Sequence, residues 1–81
     1  QNFPNPFNPT TVIKYRVPST NHITLTVYDL LGNEIEVLID EEKTSGVYEV
    51  KWNAETFSSG VYLFQLKAGE FTSTKKMILI K

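Results

Sequence analysis

Five runs of this chain alternate apolar and polar residues with a period of two, and helical spacing is nearly absent. Alternation of that kind turns one side of a segment to a core and the other to water, so it specifies half-buried β-strands. Ile13, Tyr15 and Val17 alternate with Lys14 and Arg16, and Pro18 ends the run. Ile23, Leu25 and Val27 enclose Thr24 and Thr26, both strand formers. Ile35, Val37 and Ile39 alternate with Glu36 and Leu38; Tyr48, Val50 and Trp52 with Glu49 and Lys51; Tyr62, Phe64 and Leu66 with Leu63 and Gln65. The final run, from Phe71 to Lys81, puts Phe71 and Lys75 on one side. It is therefore expected to hold a bulge, or to form an edge where an inward charge blocks further pairing.

Turn residues separate these runs at the short spacing of a sandwich or barrel. Gly32-Asn33 calls for a tight connection with glycine at positive φ. Ala68-Gly69-Glu70 reads as a short hairpin, and Gly46 and Gly60 each precede a strand. With an irregular first strand inside residues 3–10, the chain should form an all-β antiparallel sandwich of about seven short strands. Tyr15, Leu25, Val27, Val37, Val50, Trp52, Tyr62, Phe64 and Leu66 are the expected interior. Leu30 and Leu31, between two runs of matching parity, are expected to cap one end of it.

The opening NFPNPFNPTT is too rich in proline for a helix, and its Asn-Pro pairs start turns. Phe3 and Phe7 would each contribute roughly 1.5–3 kcal/mol if buried. An extended segment with two apolar anchors fits the flank of a sheet, where absent donors do no harm.

The 81 residues suit one small domain, and the absence of cysteine leaves its core without covalent support. A lone histidine, His22, excludes the ordinary zinc clusters and is expected on a solvated turn. A net charge of -1 argues against binding nucleic acid. No run reaches the roughly 18 apolar residues of a membrane helix. The near-neutral total conceals an asymmetry: residues 29–42 carry six acids and no base, whereas Lys67, Lys75, Lys76 and Lys81 face only Glu70 in residues 67–81. The acidic run lacks the spacing of a calcium loop, and no nucleophile, base and orienting acid can be assembled. No catalytic residue, metal site or cofactor is expected. A sugar platform would need a row of outward rings, but Tyr48, Trp52, Tyr62 and Phe64 share inward parity and only Tyr28 faces out.

Taken in order, NFPNPFNPTTVIKYRVP, VYDLLGNEI, GVYEVKW, SSGVYLFQLKAGEF and KKMILIK resemble the type IX secretion system C-terminal sorting domain, type A. The Ig-like domain of flagellar hook-capping proteins is similar in its Val-Tyr-Asp, Leu-Gly and Gly-x-Tyr pattern. The resemblance implies an Ig-like β-sandwich at the C-terminus of a larger exported protein of the Bacteroidetes. It implies a non-catalytic address for an N-terminal cargo, which crosses the periplasm and reaches the cell surface or the medium. The implied partners are the outer-membrane translocon and a sortase-like peptidase, with the domain itself monomeric. Matched residue by residue, the family's motif and turn positions fall on Pro4, Asn5, Pro6, Gly32, Gly60, Tyr62 and Gly69. Its basic terminal motif falls on Lys75, Lys76 and Lys81, the residues expected to meet the translocon. The other class open to so small a sandwich is a carbohydrate-binding or adhesive appendage of an extracellular enzyme.

Overall fold

The computed structural model describes residues 2–3 and 9–80, with side chains from residue 9 onward. Those residues form seven β-strands and no helix: β1 (Asn2–Phe3), β2 (Thr10–Val17), β3 (Asn21–Asp29), β4 (Glu34–Lys43), β5 (Gly46–Asn53), β6 (Gly60–Ala68) and β7 (Phe71–Leu79). They make two antiparallel sheets, one ordered β1-β2-β5 and the other β4-β3-β6-β7. The first described strand pairs Asn2 with Ile13 and Phe3 with Val12; most of the segment 3–10 in which an irregular strand is expected lies outside the described residues. Pro4, Asn5, Pro6, Phe7 and Lys81 lie outside the described residues.

Period-2 alternation carries through β2, β3, β5 and β6. Ile13, Tyr15 and Val17 of β2, with Trp52 of β5, face Ile23, Leu25 and Val27 of β3 and Tyr62, Phe64 and Leu66 of β6 across the inter-sheet space, and all are buried. Ala54, Ala68, Met77 and Leu79 complete this core, while Val50 and Tyr48 pack half-buried against it. Trp52, Phe57 and Tyr62 form a ring cluster with centroids 5.5 to 6.4 Å apart.

Strand β4 departs from the expected alternation. Leu25 opposes Ile39 but Thr26 opposes Val37, leaving Leu38 as an extra residue. Val27 opposes Glu36 and Tyr28 opposes Glu34, which leaves Ile35 extra as well. Each inserted residue resets the parity of the rest of the strand, since a one-residue slip exchanges the two faces. Val37 is consequently 44% exposed and outside the core, whereas Leu38 and Ile39 both pack against it. Glu36 takes inward register, and its Oε1 accepts the Nε1–H of the fully buried Trp52 at 3.1 Å. Two bulges and a row of acids also blunt this edge of the sheet against pairing with another chain.

Leu30 and Leu31 do not cap the core; they are 65% and 88% exposed. The turn that carries them is organised by Asp29, whose Oδ1 accepts the backbone N–H of Leu31 and of Asn33, both at 2.9 Å. Its Oδ2 accepts the Asn33 side-chain amide at 3.0 Å. These bonds, the Asn33 side chain foremost, hold the Asp29 carboxyl below its ordinary pKa. Gly32 supplies the left-handed residue with φ 88°.

Strand β7 contains no bulge. It runs in unbroken register along β6, from Ala68 opposite Phe71 to Gly60 opposite Leu79. The alternative expectation holds instead: β7 is an edge strand with Lys75 in inward register. Gly69 has φ 63° and Glu70 does not share the positive sign, which fits the φ pattern of a type II′ hairpin.

Candidate functional site

The basic strand at the chain's end is where sequence placed the functional residues. Lys75 opposes Phe64 and so takes inward register, while Lys76 opposes Leu63 on the outer face. The two ammonium groups therefore leave opposite sides of one edge strand, and both residues are exposed. On the outer side Lys76 stands in line with Ile78 and Ile80, which are 38% and 48% exposed. A single flat partner surface cannot meet both lysines; a partner that reads them has to straddle the edge.

The remaining motif positions are structural in their visible contacts. Tyr62 is buried near the start of β6, and its hydroxyl donates to the Ser58 carbonyl at 2.6 Å, four residues upstream. Tyr48 repeats the arrangement at the start of β5, donating to the Thr44 carbonyl at 2.7 Å. This is the tyrosine corner of two-sheet sandwiches, here present twice. The sequence signals it, since Ser45-Gly46-Val47-Tyr48 and Ser59-Gly60-Val61-Tyr62 are the same tetrapeptide. Gly46 and Gly60 open β5 and β6, and Gly32 and Gly69 make turns.

The acids of β4 are dispersed among separate partners. Glu36 accepts from Trp52, Glu41 lies 2.7 Å from Lys43, and Asp40 accepts from His22 at 2.5 Å. His22 therefore sits within β3 and pairs across the sheet; it is not a residue of the preceding turn. Lys43 also lies over the Tyr48 ring, 5.0 Å from its centroid, linking the edge of one sheet to the edge of the other. The Lys43–Glu41 contact holds that ammonium's pKa above its usual value. Among the described residues no group of three or more His, Cys, Asp or Glu is arranged to hold a metal ion. The rings that would have to stack on sugar are committed elsewhere: Trp52, Tyr62 and Phe64 are buried, and Tyr15 stacks on Tyr48 at 5.6 Å.

The described residues thus form a two-sheet sandwich with double tyrosine corners and a basic edge strand near the end of the chain. A family model described as a secretion system C-terminal sorting domain matches residues 1–81, the whole length. The chain belongs to that family. This sorting domain is 32% identical over 79 residues to an endo-acting ulvan lyase of Formosa agariphila, covering 98% of the chain and 14% of the lyase. It also matches the solved structure of PorZ, an essential surface component of the type IX secretion system of Porphyromonas gingivalis. That match has a TM-score of 0.72 at 21% identity and covers 100% of this chain and 11% of PorZ, an agreement of fold. The sorting domain thus spans 14% and 11% of these relatives' lengths. Its role is that of its family, a non-catalytic export signal carried by a cargo protein.

Proposed function

We propose that this sorting domain addresses a cargo, joined ahead of it on the same polypeptide, to the type IX translocon of the outer membrane. The cargo passes through the periplasm, and a sortase-like peptidase acts on it at the surface. The domain works as one folded unit of residues 1–81 and as a monomer. The full-length family match carries this reading. The translocon's contact is assigned to β7, because its lysines are exposed on an edge whose backbone no other strand pairs among the described residues. Lys81 continues the same basic segment, and Pro4, Asn5 and Pro6 mark the junction with the cargo.

Structure alone has little use for Lys75 and Lys76. An exposed charge contributes under about 1 kcal/mol to folding, whereas charge complementarity governs encounter and partner choice. The variant Lys75→Gln/Lys76→Gln/Lys81→Gln is expected to keep the wild-type melting curve. A reporter carrying it should accumulate in the periplasm while the wild-type fusion is exported. Because the two strand lysines leave opposite faces, Lys75→Gln and Lys76→Gln should each give part of the loss. Export of the folded triple variant at the wild-type level would reduce these lysines to solubilising edge charges.

A further inference from the structure

The two outer strands of the larger sheet present different edges. β4 is bulged at Ile35 and Leu38 and rich in acids. β7 pairs with β6 without interruption over all nine of its residues, contains no proline and no acid, and meets no described strand on its other side. A long regular edge with unpaired backbone is a template for another strand, and lysines on it bar chance partners. β1 belongs to the smaller sheet and pairs with β2, so the line beside β7 is a separate one. The matched family is described as a C-terminal domain, which points to a strand from another chain.

The hairpin fixes which backbone groups of β7 are open. Gly69 and Glu70 make a two-residue turn, and its closing pair, Ala68 with Phe71, is bonded across the strands. Antiparallel pairs alternate between bonded and non-bonded. Ser73, Lys75 and Met77 therefore turn their N–H and C=O to β6, whereas Thr74, Lys76 and Ile78 turn theirs to the free edge.

We propose that the translocon reads β7 by strand addition: an antiparallel partner strand with two consecutive acidic residues pairs along the edge, one acid opposite Lys75 and the other opposite Lys76. Consecutive residues of a strand point to opposite faces. An added strand thus straddles the edge, as a partner reading both lysines must, and opposite charges directly across a strand pair attract. The next two positions lie opposite the inward Met77 and the outward, 38% exposed Ile78, and both favour apolar residues. Along the incoming strand the fitting order is apolar–apolar–acid–acid. Main-chain bonds supply affinity in this mode and the side chains supply selection. This deepens the export reading and rests on it.

The test is a titration of the 15N-labelled 81-residue chain with the capped peptide Thr-Ile-Val-Glu-Glu-Thr. Thr-Ile-Glu-Val-Glu-Thr, with both acids on one face, and Thr-Ile-Val-Lys-Lys-Thr are its controls. The first peptide should slow exchange of the Thr74, Lys76 and Ile78 amides and leave those of Ser73, Lys75 and Met77 almost unchanged. The second should bind about fivefold more weakly for the lost ion pair, and the third not at all. Thr74→Pro removes one edge donor, keeps both lysines and leaves the bonds to β6 in place, so it should melt close to wild type. It should lose both the peptide and export of a fused reporter. Loss of export by the lysine variants with full export of folded Thr74→Pro would leave the export reading standing and overturn strand addition. Binding without protection of the edge amides, equal binding of the lysine peptide, shifts centred on β2 or β4, or no binding at millimolar peptide would overturn it too. The peptide comparison needs no variant and decides the matter even if Thr74→Pro does not fold.

Discussion

Trp52→Ala is expected to leave the domain largely unfolded at room temperature. Trp52 is fully buried, packs against Phe57 and Tyr62, and donates its indole N–H to Glu36. Truncating so large a ring removes its transfer free energy and leaves a cavity, together about 3–5 kcal/mol. Folded domains hold only about 5–15 kcal/mol in total, and the smallest lie at the low end. With no cysteine in the chain, nothing covalent offsets the loss. Trp52→Phe should be far milder, because most of the packing survives and the exposed Glu36 carboxylate turns to water. Circular dichroism during urea unfolding reads both variants, since the replacement removes the one tryptophan available for fluorescence. A Trp52→Ala midpoint close to wild type would refute this packing.

A chain stopped after Lys76 is expected to lose its fold as well. Met77 is fully buried and Leu79 is 1% exposed, and they hold the last inward positions of β7 against Tyr62 and Gly60. Each large apolar side chain removed from a core costs about 2–5 kcal/mol, so the pair approaches the whole stability. The edge of β6 would be uncovered at the same time. Export failure of such a truncation would therefore report unfolding, and only substitution of the exposed lysines separates a read signal from a missing strand. A truncated chain that melts like wild type would contradict the role given to Met77 and Leu79.

Much of the fold is legible in the sequence because period-2 patterning survives wherever pairing is regular. Tyr15, Leu25, Trp52, Tyr62, Phe64 and Leu66 lie inside as parity requires. Val37 does not, because the bulges at Ile35 and Leu38 reset the faces of β4 and no residue type announces a bulge. Parity gives Glu36 a solvated place for the same reason, although the register brings it to Trp52. Leu30 and Leu31 mislead through hydrophobicity alone: the Asp29 bond pattern decides their turn and leaves them in water. The candidate site is legible in composition but not in geometry. The basic terminal motif of the resembled family puts the candidate on the strand that proves to be β7, and the opposite directions of Lys75 and Lys76 emerge only from the register along β6. A reading of parity alone misses the paired tyrosine corner, although the duplicated Ser-Gly-Val-Tyr carries a signal for it.

Whether residues 1–81, folded, address a cargo to the type IX translocon is read from the location of a periplasmic reporter fused ahead of them, in a strain with the translocon and in one lacking it. Reporter should reach the surface or the medium of the first strain and stay confined to the periplasm of the second. Unfused reporter should be periplasmic in both. A folded fusion that stays in the periplasm of the competent strain, or that escapes without the translocon, would contradict that role.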